Sequence, residues 1–309
     1  MTSNIKLLKN MPRQIGRHDN IIWNRDVASV VAKLPKAPLF DLVITSPPYN
    51  IGKPYEKRLE LDEYTRWHKA LIADIVARTK PNGSICWQVG NYVENGCIYP
   101  LDYIFHPIFA DLGLKLRNRI VWHYGHGLHQ KRRFSGRYEV VLWYTMSDEY
   151  TFDLDAVRIP PKYPGKRAYR GAKAGQLSSN PLGKNPEDVW EVTDSAHDIW
   201  NIPNVKAGHV EKTEHPCQFP VGLVERLILA LTNKSQTVFD PFTGTGSAGV
   251  AAMIHGRRFL GCELDSAYAE LAYSRLLRTA KGEERFRSHA KPVFDHRLSP
   301  LSRLPEAAE

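Results

Sequence analysis

The chain has 309 residues, 42% hydrophobic and 24% charged, a composition that suits a folded domain with ample length to bury a core. No apolar run approaches the roughly 18 residues of a membrane span, and the amino-terminal MTSNIKLLKNMPRQ lacks the apolar stretch of a secretory signal, so a cytoplasmic protein is expected and a membrane protein is not. Lys and Arg number 42 against 33 Asp and Glu, a net charge of +9 that favours a polyanionic partner.

From about Asn20 to Tyr144, apolar strand-like runs alternate with amphipathic helices. The run Phe40-Asp41-Leu42-Val43-Ile44 has the character of a short buried parallel strand. It leads into Ser46-Pro47-Pro48-Tyr49, through which no helix can run, so the strand stops in a stiff turn. A turn at the carboxyl end of a strand lies where open α/β sheets bind ligands. A helix is predicted at about 61–79, a strand at 83–89, a helix at 101–112, and strands at 119–122 and 140–144. Such alternation predicts an α/β fold with a mostly parallel sheet covered by helices.

From about Tyr150 to Val210 the periodicity fades and Pro, Gly, Asn and Lys take over, as in an inserted, loop-rich module. A helix at 219–232, strands at 237–240 and 258–263, and a helix at 266–278 then resume the alternation. The expected division is therefore one half-domain at 1–149, an insert at 150–210, the second half of the same domain at 211–280, and a polar, partly disordered tail at 281–309.

The strand Val238-Phe239-Asp240 runs into Pro241-Phe242-Thr243-Gly244-Thr245-Gly246-Ser247, with a helix starting near Ser247. Gly244, Gly246 and Gly249 satisfy G-x-G-x-x-G, and Glu263 ends the next strand, which taken alone is a dinucleotide fingerprint. Asp240, however, would put a carboxylate beside the pyrophosphate. A cationic ligand suits it better. S-adenosylmethionine offers an ammonium for Asp240, a ribose for Glu263 and no phosphate, and the glycines then serve close backbone approach.

SPPY at Ser46 to Tyr49 together with DPFTGTG at Asp240 to Gly246 resembles the DNA amino-methyltransferases, which modify the exocyclic nitrogen of cytosine or adenine. With the catalytic motif first, the cofactor motif last and a basic insert between, the chain is similar to the permuted beta group of restriction-modification type. The resemblance covers roughly Asn20 to Arg278. It implies a Rossmann-like, doubly wound class I methyltransferase fold, S-adenosylmethionine as cofactor, and double-stranded DNA as substrate in a bacterial or archaeal cell, at the nucleoid. It also implies Ser46, Pro47, Pro48 and Tyr49 as catalytic residues, and Asp240, Phe242, Gly244, Thr245, Gly246, Ser247 and Glu263 as cofactor-binding residues. Asp26 resembles the acidic residue near the cofactor's adenine, and His215 belongs to a motif that walls the methionine end. A serine in the first motif position is commoner in cytosine N4 enzymes. Adenine N6 is the alternative, since a hydroxyl can accept from either amine.

The chemistry follows from the turn. An exocyclic amine is a poor nucleophile because its lone pair is delocalised into the ring. Acceptors such as the Ser46 hydroxyl and Pro47 carbonyl can hold its protons out of the ring plane, and Tyr49 offers a face for a base flipped from the duplex. The sulfonium methyl is already activated, so no metal is needed. His126 and His129 form an H-x-x-H without further ligands, which does not point to a metal site.

Other readings remain. Pro216-Cys217-Gln218 resembles the nucleophile triplet of cytosine C5 methyltransferases, but it precedes the glycine loop instead of following it. A noncatalytic nucleic-acid-binding or NAD-binding protein would keep the fold, and RNA could replace DNA. The phosphate contacts are expected from Lys131, Arg132 and Arg133, and from Lys162, Lys166, Arg167, Arg170 and Lys173 in a stretch without acidic residues. The four cysteines are scattered and read mostly as small buried residues. A partner restriction endonuclease and a monomeric or homodimeric state are compatible with the sequence.

Overall fold

The structure is a computed structural model that describes residues 4–12, 14–52, 56, 58–124, 127, 129–161, 163, 165–191, 202–206 and 208–287. In chain order the strands are β1 (Asn4–Leu8), β2 (Asp19–Asn24), β3 (Phe40–Thr45), β4 (Thr79–Val89), β5 (Asn91–Glu94), β6 (Cys97–Pro100), β7 (Lys115–His123), β8 (Tyr138–Thr145), β9 (Val189–Glu191), β10 (Thr237–Asp240) and β11 (Arg258–Glu263). The helices are α1 (Val27–Val31), α2 (Leu61–Val76), α3 (Leu101–Asp111), α4 (Val221–Leu231), α5 (Ser247–Ile254) and α6 (Ser266–Lys281).

Nine strands form one sheet in the order β1-β2-β11-β10-β3-β4-β8-β7-β9, and β5 and β6 make a separate hairpin. Every neighbouring pair of the large sheet is parallel except the two made by β8, which is the one reversed strand. Alternate side chains of each strand serve two cores. Ile21, Trp23 and Val43 face the core covered by α1, α2 and α3. Ile22, Leu42 and Ile44 face the core covered by α4, α5 and α6. Both faces of the central strands are thus apolar, as expected of a doubly wound sheet.

The topology makes a ligand site at one place. β10 lies beside β3, yet from β3 the chain passes through α2 to β4, and from β10 it passes through α5 to β11 on the other side. The two halves therefore diverge from the β3/β10 boundary, and a crevice opens at their carboxyl ends. This boundary is held at its base by stacked Phe40 and Phe239, with centroids 4.2 Å apart and planes 7° from parallel. The Thr237 N–H donates to Asp41 Oδ2 across it, and Lys80 Nζ donates to both oxygens of the same carboxylate.

Among the described residues of 150–188, regular structure is limited to a 3-10 turn at Asp155–Val157 and the isolated bridges Ile159–Lys184 and Arg167–Leu177. This segment does not stand apart from the domain: its end supplies β9 to the sheet edge, with Arg226 stacked 4.3 Å over the Trp190 ring. Residues 166–178 fold back on themselves through Ser178 N–H to Lys166 and Ala168 N–H to Gln176. Residues 288–309, most of the expected polar tail, lie outside the described residues. Among the described residues no helix is long and apolar enough to cross a membrane.

Candidate active site

The chain leaves β3 at Thr45 and enters the Ser46–Tyr49 turn. Two prolines stiffen it, and the neighbouring chain pins it further. Tyr64 on α2 donates its hydroxyl to the Pro48 carbonyl at 2.7 Å. Asn50, with φ of 60°, trades two hydrogen bonds with the Leu59 backbone, each 2.7 Å. The Glu56 carboxylate accepts from the N–H groups of Asn50 and Ile51. Ser46 and Tyr49 are half-buried, and the Ser46 hydroxyl lies 3.0 Å from Tyr49 Oη.

The glycine loop after β10 is set from below. Gly246 is the N-cap of α5 with φ of 82°, and a Cβ there would come within 3.0 Å of the Ala272 Cβ on α6, so only glycine lets the loop lie on that helix. Arg275 of α6, 1% exposed, donates to the Thr245 carbonyl and hydroxyl and to the Ser247 hydroxyl, while its Nε pairs with the buried Glu284.

The two motifs meet in a buried hydrogen bond. Thr45 Oγ1 donates to Asp240 Oδ1 at 2.6 Å, joining residues 195 apart in sequence. Phe242 N–H donates to the same oxygen, and Oδ2 takes no hydrogen bond from the described residues. Burial raises the Asp240 carboxyl to about 7. Glu263, at the end of β11, accepts from the N–H groups of Gly244 and Asp265, and burial likewise raises it to about 7.

Around these groups opens a cleft of about 880 Å³. Ser46, Pro47, Pro48 and Tyr49 line one side, and Phe242, Gly244, Thr245, Ser247, Glu263, Asp26 and His215 line the other. Asp240 and Gly246 sit just behind that wall. Asp26 serves two ends, since it faces the cleft and also caps α1 by accepting from Ser29 N–H at 2.8 Å. His215 packs edge-on against Tyr268, with centroids 4.5 Å apart, and burial first, then Lys212, lowers it to about 4, so it is neutral at ordinary pH. Phe242 packs toward Trp67, Trp87 and His68.

Of the expected phosphate-binding residues, Arg133 reaches the cleft mouth, beside the fully exposed Phe134. Lys131 and Arg132 are exposed next to it, and Lys166, Arg167, Arg170 and Lys173 are exposed on the insert away from the cleft wall. Lys162 and His126 lie outside the described residues. The expectation that most cysteines are buried needs correction: Cys86 and Cys262 are buried, whereas Cys97 and Cys217 are exposed. Cys97 sits in the short β5/β6 hairpin at the surface, and Cys217 lies on the cleft wall. Among the described residues, no three His, Cys, Asp or Glu side chains are grouped to hold a metal.

Sequence reasoning missed three residues of the site. Gln88 at the end of β4 and Glu139 at the start of β8 line the cleft beside Tyr49, and Tyr124 follows β7. Glu139 Oε2 accepts from Tyr49 Oη at 3.3 Å and from Gln88 Nε2. Their strands were legible, but Glu139 comes beside the turn only because β8 is reversed.

A family model described as DNA methylase, spanning N6 and N4 enzymes, matches residues 40–274. The chain belongs to the N6/N4 DNA methyltransferase family. It is 43% identical over 265 residues to the Type II methyltransferase M.BglII of Bacillus subtilis, a match covering 85% of this chain and 70% of that protein. In three dimensions it is similar to the cytosine-N4-specific PvuII DNA methyltransferase, with a TM-score of 0.60 and 19% identity over 85% of this chain and 93% of that one. It is also similar to a DNA modification methylase of Thermus thermophilus complexed with S-adenosyl-L-methionine, with a TM-score of 0.56 and 24% identity over 84% and 93% of the two chains.

This chain is thus a DNA methyltransferase of the amino-modifying kind, a family whose cofactor is S-adenosylmethionine. The side chains fit that group. Asp26, Asp240 and Glu263 cluster acidity where a pyrophosphate would need the opposite, and two carboxyls raised by burial are ready to ionise beside a cation. Membership in this family sides against carbon-5 chemistry at Cys217.

Proposed function

We propose that this enzyme methylates the exocyclic N4 of cytosine in duplex DNA, at a base flipped into the cleft. The observation that carries the amino-methylation reading is the Thr45–Asp240 hydrogen bond, which ties the SPPY turn to the cofactor loop at the β3/β10 boundary, and the choice of cytosine rests on Ser46 in the first motif position. S-adenosylmethionine, when bound, supplies an activated methyl on a sulfonium. Asp240 and Glu263 would hold its ammonium and ribose, His215 and Tyr268 would wall its methionine end, and Asp26 and Phe242 would flank its adenosine. Gly244, Thr245 and Ser247 line the cleft where it would lie, and Gly246 turns the loop.

The protein's work on the target is to localise a lone pair. Ser46 Oγ and the Pro47 carbonyl accept the two amine protons, which pulls the nitrogen toward tetrahedral geometry and aims its lone pair at the methyl. The rigidity of the turn matters because a misplaced acceptor loses this alignment. Tyr49 stacks on the flipped base, and the cleft has room for a base beside the cofactor. Lys131, Arg132 and Arg133 hold phosphates at the mouth, and the 150–210 insert, with Lys162, Lys166, Arg167, Arg170 and Lys173, reads the site. The half-domains 1–149 and 211–280 carry the catalytic turn and the cofactor loop.

Adenine N6 would use the same acceptors on another ring. Relatives named as Type II methyltransferases fit a restriction-modification role beside a cognate endonuclease, with the enzyme acting as a monomer or homodimer in the cytoplasm, at the nucleoid. Ser46→Ala tests the mechanism: kcat for transfer into unmethylated DNA should fall by about a hundredfold while cofactor affinity holds. Full activity in S46A would remove Ser46 from the reaction.

A further inference from the structure

A carboxylate at the first motif position can only accept, but a serine hydroxyl can also donate. If Ser46 pointed its proton into the cleft, donor would face donor at the target amine. Something must turn the hydroxyl the right way.

The surroundings of Tyr49 supply it. Ser46 Oγ lies 3.0 Å from Tyr49 Oη, and Tyr49 Oη lies 3.3 Å from Glu139 Oε2. Gln88 Nε2 donates to that same Oε2 and holds the carboxylate in place. Burial raises the Glu139 carboxyl, but the hydrogen bonds that its Oε2 receives from Gln88 and Tyr49 work against that and favour the ionised form, which has no proton to give. Tyr49 must therefore donate to Glu139, its oxygen then receives the Ser46 proton, and the lone pairs of Ser46 are left for the cleft. Glu139 is where this is possible because β8 is reversed: Val140 pairs with Val89, so Glu139 stands at the edge where the parallel strands end. Gly90 completes the arrangement, since a Cβ there would come within 3.0 Å of the Tyr49 ring.

We infer that Glu139 is a positioning residue that sets the polarity of the Ser46–Tyr49–Glu139 chain, so that Ser46 meets the target amine as an acceptor. The inference rests on the role given to Ser46 above. It makes the reversed strand a working part of the site.

The test is steady-state methyl transfer from labelled S-adenosylmethionine into unmethylated genomic DNA by the full chain and its variants, with cofactor binding measured on each. Glu139→Met removes the terminal acceptor, and Tyr49→Phe removes the middle of the chain while keeping the ring. Each should lower kcat by about tenfold or more with cofactor affinity within about threefold, and the double variant should be no slower than the slower single one. Glu139→Gln keeps an oxygen opposite Gln88 and should retain at least about fivefold more kcat than E139M. Wild-type kcat in E139M or in Y49F, losses that multiply in the double variant, or E139Q as slow as E139M would each overturn the inference. A wild-type protein that methylates no DNA would overturn the reading of Ser46 and this inference with it. Wild-type transfer with an undisturbed E139M overturns the inference alone.

Discussion

Asp240 and Glu263 give the cofactor site a definite pH behaviour. Both carboxyls are raised to about 7, burial being the first cause for each, with the charge of Glu263 adding to the shift of Asp240 and that of Asp265 to the shift of Glu263. In the free protein they hold protons that the unfolded chain gives up near pH 4. Between about 4 and 7 the native state binds more protons, so these two groups make the free protein less stable as pH rises. A cation beside them reverses the preference. Binding must expel protons below about 7 and need not above it, so cofactor affinity should rise from pH 6 to pH 8, and the melting-temperature gain on adding cofactor should be larger at pH 8. Calorimetric titration at the two pH values checks this, and equal affinities would remove the carboxylates from the cation's surroundings.

At the scale of elements, α6 does more than cover the sheet. Its Arg275 is buried with Glu284 and carries the underside of the cofactor loop through Thr245 and Ser247. Arg275→Met would leave Glu284 buried with only Arg278, itself partly exposed, as a partner. A loss of roughly 3 kcal/mol is expected in denaturant unfolding, together with weaker cofactor binding as the loop loses its support. Unchanged stability would mean the pair is dispensable. Most elements were legible in the sequence because their periodicity is strong: β3, β10, β11, α2, α4 and α6 lie where apolar runs predict them, within a few residues at the ends. The reversal of β8 was not legible, because Val140 to Tyr144 is apolar on both faces and such a run carries no direction. Glu139 was missed for that reason, its partner Tyr49 being 90 residues away. β1 and the β5/β6 hairpin were missed too, since they are short and half-exposed and their pattern is weak. The paired motifs were readable because each is local: a proline turn and a glycine loop declare themselves within seven residues or so, and only their meeting required the fold.

At the scale of the whole molecule, the net charge of +9 favours a polyanionic partner, and the proposed phosphate contacts are open to a direct test. Arg133 lines the cleft, Lys131 and Arg132 are exposed next to it in sequence, and Lys166, Arg167, Arg170 and Lys173 are exposed on the segment after Tyr150. Each phosphate contact contributes about 0.9 to the slope of log affinity against log salt. Neutralising Lys131, Arg132 and Arg133 together should therefore weaken DNA binding and lower that slope by about 2 to 3, read by anisotropy across a salt series. An unchanged slope would move these residues off the phosphates. The same scale holds the most direct test of the account, which is the identity of the modified base. The purified chain is incubated with unmethylated DNA and S-adenosylmethionine carrying a labelled methyl, the DNA is digested to nucleosides, and the labelled one is identified by mass spectrometry. The account predicts label on N4-methylcytosine; label on N6-methyladenine would contradict the choice of base, and label on 5-methylcytosine, or on no nucleoside while the cofactor binds, would contradict the chemistry as well.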